Sequence, residues 1–240
     1  MTVPLAQRST SPFAWPSADA FLFDIDGTLV NSRDGVHYNA FHSALRSTWN
    51  IGAVIDGVPV HGNTDLGILR AVARKQGIAD ADFDAKLESA LERMRAEAAR
   101  NAAEMSPQCC SGIRELLRAL TSRGKTLGVV SGNLEQIGWL KLRAAGIRDY
   151  FTLGAFSDQR ERRADIFRHG MEQARGLRGA SARVVFVGDT PADIAAAREV
   201  GAPVVAVATG IFSASELRKL DPDVCVGSCD ELLAELANAS

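Results

Sequence analysis

Short apolar runs alternate with amphipathic stretches along most of this chain. The runs at 20–25, 126–130, 183–187 and 204–208 are rich in β-branched or aromatic residues, and a glycine or small polar residue follows each. Continuous apolar runs of this length suit strands buried on both faces of a parallel sheet. Helical patterns lie between them, over 113–122, 134–145, 164–175 and 191–200. Gly124, Gly146 and Gly201 follow three of these, where a glycine ends a helix, and Pro191 takes a first-turn position. Strands alternating with helices predict a doubly wound α/β fold around a parallel sheet.

One region breaks the alternation. From 32 to 105 there is no buried-strand pattern. Residues 81–103 are rich in Ala, Glu, Arg, Leu and Met and predict one long helix; 64–76 predict another. This stretch is expected to be a helical insertion between the first strand and the rest of the sheet. The expected organisation is therefore an N-terminal tail (1–19), an α/β core (20–31 and 106–240) and an inserted helical unit (32–105).

Composition excludes several function classes. A net charge of -2 and an isoelectric point near 6.1 argue against a broad electrostatic grip on nucleic acid. No apolar run is long enough to span a bilayer, and the N-terminus lacks the basic start and apolar middle of a secretory signal. Cys109, Cys110, Cys225 and Cys229 lack the paired spacing of a zinc site, and four free thiols fit a reducing, cytoplasmic setting.

Doubly wound sheets bind ligands at the carboxyl ends of their strands, and three strand ends here carry chemistry. The first runs Asp24-Ile25-Asp26-Gly27-Thr28-Leu29. Residues two apart on an extended segment point the same way, and two such carboxylates repel unless a cation screens them. Hard oxygen ligands suit Mg2+. The second end, Ser131-Gly132-Asn133, precedes a helix and could cap it or cradle a phosphate. The third, Gly188-Asp189-Thr190-Pro191-Ala192-Asp193, adds two more carboxylates. Capping explains each alone; it does not explain three together on one sheet edge.

These three segments, in this order and spacing, resemble three of the four motifs of the haloacid dehalogenase-like superfamily. The resemblance covers about 21–207. It implies a Rossmann-like core and makes the 32–105 insertion that superfamily's type-one helical cap. His61-Gly62-Asn63-Thr64-Asp65 is similar to the cap segment of phosphoglycolate phosphatase-like members. By resemblance, Asp24 is the nucleophile and Asp26 the general acid and base. Magnesium would be held by Asp24, the Asp26 carbonyl and Asp189, with Asp193 direct or through water. Ser131, Gly132 and Asn133 would bind the phosphoryl group.

The pattern departs at the family's remaining motif, which usually supplies a lysine. No lysine lies between Tyr150 and Arg183. Arg163 is the expected substitute, with Arg160 as runner-up; an arginine keeps the charge and binds phosphate bidentately. In the cap, Thr64, Asp65 and His37 are candidate substrate contacts, while a helix cap explains Thr64 and Asp65 equally well. Trp139 is expected in the core. The resemblance thus implies a magnesium-dependent phosphatase acting on a small phosphorylated metabolite, with phosphoglycolate the substrate it suggests. A phosphomutase of the β-phosphoglucomutase type and a non-catalytic member of the fold are the alternatives. A dehalogenase normally lacks the second aspartate. Hinges are expected near 29–33 and 105–112.

Overall fold

A computed structural model describes residues 14–52, 55 and 57–238 of the protein. The strands are β1 (Ala20–Phe23), β2 (Val30–Asn31), β3 (Gln108–Cys109), β4 (Thr126–Val130), β5 (Leu153–Ala155), β6 (Val184–Gly188), β7 (Val204–Val207) and β8 (Val224–Val226). The helices are α1 (Val36–Trp49), α2 (Asp65–Lys75), α3 (Asp80–Arg100), α4 (Ile113–Ser122), α5 (Glu135–Ala144), α6 (Arg163–Arg178), α7 (Pro191–Glu199), α8 (Ala214–Arg218) and α9 (Cys229–Asn238).

Six strands form one parallel sheet in the order β5-β4-β1-β6-β7-β8. Strand β1 is central and every residue in it is buried, because helices cover both faces. Alternate residues serve the two sides. Phe21 and Phe23 join Val185, Val187 and the α4 leucines on one face; Leu22 joins Phe186, Phe167 and Ile166 on the other. Helix α4 shows the cause at element level. Ile113, Leu116, Leu117 and Leu120 fall on one stripe at helical spacing, and all four are buried. The doubly wound parallel sheet read from the sequence is the fold of this chain.

Two strands of the parallel sheet escaped the sequence pattern, as did the two-residue strands β2 and β3. Strands β5 and β8 are three residues each, and Gly154 and Cys225 interrupt their apolar character. The expected tail also ends earlier than residue 19. Trp15 and Ala18 are buried; the Trp15 indole donates to Glu235 (2.7 Å) and meets Phe21 edge-on. The rest of that expected tail, 1–13, lies outside the described residues.

Helices α1, α2 and α3 pack on one another around a separate cluster that includes Phe41, Leu45, Leu69, Phe83, Leu91 and Met94. Where the chain enters and leaves this layer, β2 and β3 pair antiparallel. Helix α5 lies between the two bodies: Leu134, Ile137 and Leu140 face the helical cluster, and Leu142 faces the sheet side. Among the described residues, no helix is long and apolar enough to cross a membrane.

Candidate active site

The carboxyl ends of β1, β4 and β6 open onto a cavity of about 560 Å³, lined on its other side by residues of α1, α2 and the segment between them. Asp24, Asp26, Ser131, Gly132, Asn133, Arg163 and Asp189 line its floor. Its size suits a small ligand. Gly27 turns the chain after the paired carboxylates. Its φ is +88°, and a Cβ there would collide with the Asp189 carboxylate, so glycine serves both the turn and the close approach.

Asp24, Asp189 and Asp193 bring oxygens within 4.8 Å of one another, all in buried positions. One cation faces them: the Arg163 guanidinium pairs with Asp24 at 2.9 Å and Asp193 at 2.6 Å. Burial pushes the Asp24 carboxyl up to about 7, Arg163 opposes this, and Asp193 and Asp26 add to it. Asp189 is pushed up to about 8 by burial and by the charges of Asp193 and Asp24, although Thr28 donates to it at 2.9 Å. Clustered carboxylates that one arginine does not balance, with hard oxygen donors facing a cavity, fit a divalent cation such as Mg2+.

The three acids are not equivalent. Asp193 caps its own helix: Oδ2 accepts from the Thr190 amide (3.0 Å) and hydroxyl (2.6 Å). Its Oδ1 accepts two N–H groups of Arg163. Asp193 is absent from the cavity lining, whereas Asp24 and Asp189 face it. Of the two arginine candidates, Arg163 lines the cavity and Arg160 does not.

Asp26 faces the cavity beside a residue that the sequence reading passed over. The Lys141 ammonium donates to both Asp26 oxygens (2.8 and 2.7 Å) and to Asn133 Oδ1 (2.7 Å), and lies 3.0 Å from His37 Nδ1. Asn133 Nδ2 donates to Asp26 Oδ2 at 2.8 Å. Burial would raise the Asp26 carboxyl; Lys141, His37 and Asn133 outweigh it and hold the group below the usual range. A signal for Lys141 did exist. It continues the stripe Leu134, Ile137, Gly138 at helical spacing, and a lysine on an apolar stripe must find a partner inside.

The remaining candidates have clear positions. Ser131 is buried and accepts from the Asn133 side chain (3.0 Å). The first amides of the α5 turn are already engaged, Leu134 N–H by Asp65 (2.7 Å) and Glu135 N–H by Asp158 (2.7 Å). Within 131–133, the Ser131 amide donates to the Ala155 carbonyl (3.0 Å) and the Asn133 amide to Ser131 Oγ (3.3 Å). Thr64 caps α2 and donates to the Glu161 carbonyl (2.7 Å), away from the cavity lining. Asp65 and His37 line the cavity and bond to each other at 3.0 Å. Trp139 is partly buried, under the Arg148 guanidinium and edge-on to Phe156.

A family profile described as haloacid dehalogenase-like hydrolase matches residues 21–207. The chain belongs to the haloacid dehalogenase-like hydrolases. Among curated proteins, it is 29% identical over 224 residues to a phosphoglycolate phosphatase of Agrobacterium fabrum, covering 92% of this chain and 91% of that one. It is 26% identical over 217 residues to the probable phosphatase IndB of Dickeya dadantii, covering 88% and 90%. Among solved structures it is similar to CbbY from Rhodobacter sphaeroides in complex with phosphate, with a TM-score of 0.71 at 20% identity over 90% of this chain and 96% of that one. Membership makes this chain a hydrolase, and the two curated relatives above are phosphatases by name.

Proposed function

We propose that this haloacid dehalogenase-like hydrolase is a magnesium-dependent phosphatase that cleaves a small phosphorylated metabolite through an aspartyl-phosphate intermediate on Asp24. The observation that carries the reading is the position of Asp24. It is a buried carboxylate facing the cavity, paired with Arg163, beside Asp189 and two residues from a second carboxylate.

Asp24, the Asp26 backbone carbonyl and Asp189 would hold magnesium, with Asp193 as an outer partner because its oxygens already serve Arg163 and Thr190. The ion supplies charge neutralisation that lets a carboxylate approach an anionic ester. In the first step an Asp24 oxygen bonds to phosphorus and the bond to the leaving oxygen breaks. That oxygen keeps the electron pair and takes a proton from Asp26. In the second step a water oxygen attacks phosphorus and its proton passes to Asp26. The bond between the Asp24 oxygen and phosphorus breaks, releasing inorganic phosphate and the Asp24 carboxylate. Arg163, Ser131 and the backbone of 131–133 neutralise charge on the equatorial oxygens. Lys141 keeps resting Asp26 ionised, the form the second step needs. The charge of an entering phosphate ester favours its protonated form for the first.

Residues 32–105 act as a cap that shuts out water, moving on the paired β2 and β3 segments. Phosphoglycolate, after the name carried by the relatives, leads the substrate panel. The test is phosphate release from p-nitrophenyl phosphate and a panel of metabolite phosphates, with and without magnesium, for wild type and Asp24→Asn. Release that needs magnesium and vanishes in Asp24→Asn is expected. Magnesium-independent release, or isomerised sugar phosphate without free phosphate, sinks this reading.

A further inference from the structure

Lys141 is the one lysine lining the cavity among the described residues, yet no motif of the sequence accounts for it. Its side chain is 5% exposed, so its charge is desolvated and must be met inside. Three N–H groups have three directions to go: the Asp26 carboxylate, Asn133 Oδ1 and His37 Nδ1. The last requires a His37 tautomer with an unprotonated Nδ1. That tautomer places the ring proton on Nε2, which faces Asp65 Oδ2 at 3.0 Å. Asp65 Oδ2 in turn accepts the Leu134 amide at the start of α5. Every polar atom in this chain of contacts has a partner of the right kind, and none of the lysine's donors is left for a ligand.

That closure separates two roles. A substrate-binding lysine would keep a donor pointing at the cavity; this one spends all three on protein. We infer that Lys141 is a positioning residue. It holds both oxygens of Asp26 in the orientation from which that group exchanges its proton with the leaving oxygen and with water. His37, from α1, fixes the lysine in turn. Lys141 sits on α5, in the sheet body, and His37 sits in the helical layer. Lys141 therefore has its full set of contacts only while that layer is seated.

This inference rests on the phosphatase reading and on Asp26 as its acid and base. Its signature is the leaving group. p-Nitrophenolate departs without a proton, whereas an alkoxide does not, so misplacing Asp26 should cost alkyl esters more than aryl ones. Lys141→Met and His37→Leu are compared with wild type on p-nitrophenyl phosphate and the best alkyl phosphate of the panel. The readout is kcat/KM, which covers the steps through departure of the leaving group, with folding checked by circular dichroism. The expected result is a loss on the alkyl ester about a hundredfold larger than on the aryl ester for Lys141→Met, and a smaller loss of the same selectivity for His37→Leu. Equal losses on both esters, or a rise in KM alone, overturn the inference and leave the phosphatase reading standing. Absence of release from either ester by wild type sinks both. If Lys141→Met does not fold, the selectivity of His37→Leu decides, because that side chain is partly exposed and its removal leaves the lysine in place.

Discussion

Arg163 donates two N–H groups to Asp193 and pairs with Asp24, so its guanidinium is oriented before any phosphate arrives. A lysine has a single ammonium and would have to divide its donors between those carboxylates. Arg163→Lys should therefore retain charge but lose alignment, with kcat/KM falling about tenfold, while Arg163→Met should fall on the order of a hundred- to a thousandfold. Steady-state kinetics on the best substrate checks both. Equal activities for the two variants would mean that geometry matters more than charge at this position. The pairing also explains why Asp193 is wholly buried. It satisfies the start of α7 through Thr190 and the guanidinium through its other oxygen.

Besides the apolar packing of Leu134, Ile137 and Leu140, the helical layer meets the sheet body through specific polar contacts. Asp65 N–H donates to the Gly132 carbonyl (2.7 Å), Arg70 pairs with Glu161 (2.8 Å) and Arg95 with Asp158 (3.0 Å). Gly132 is the tightest of these points. A Cβ there would collide with the Asn63 carbonyl and lie 3.0 Å from the Thr64 Cα, both backbone atoms that do not yield as a side chain would. Gly132→Ala should push the start of α2 off the phosphate-binding segment. Displacements of about 1 Å near reacting groups cost up to about a hundredfold in rate, so kcat/KM should fall by tenfold or more. The melting temperature should move by only a few degrees, since neither hydrophobic cluster is opened. A variant with wild-type kinetics would show that the seated position of the layer is not the catalytic one.

For the whole molecule, the carboxylate cluster links stability to pH and to metal. Burial and neighbouring carboxylates push Asp24 up to about 7 and Asp189 up to about 8 in the folded chain, from an ordinary value of 3.8. Raised carboxyls bind protons better in the fold than outside it. Their contribution is therefore complete below about 3.8 and is lost as the pH rises through 7 and 8. In the presence of a chelator, the melting temperature should fall between pH 5 and pH 8 by more than in an Asp24→Asn/Asp189→Asn double variant. Magnesium replaces those protons, so it should raise the melting temperature more at pH 8 than at pH 5. Differential scanning fluorimetry across pH with and without magnesium measures this. A magnesium shift independent of pH would contradict the proposed ligands.

Local rules were enough to reach the alternation of strands and helices, the parallel sheet and the chemistry at its strand ends. Apolar runs buried on both faces have one economical packing, and Asp24, Asp26, Ser131 and Asp189 lie at the ends of those runs. The helical layer was legible as a break in that alternation, although α1 was not delimited; its buried residues, Val36, Ala40, Phe41, Ala44 and Leu45, lie on one stripe in which two of the five are alanines. Contacts between residues distant in the chain were decided only in three dimensions. The proximity of Lys141 to Asp26, 115 positions away, depends on α5 being enclosed by the sheet on one side and the helices on the other. The division of labour among Asp24, Asp189 and Asp193 likewise depends on where Arg163 enters. A sequence states which residues are charged and which faces are apolar; only packing decides which charges are enclosed together, and enclosure gives them their strength.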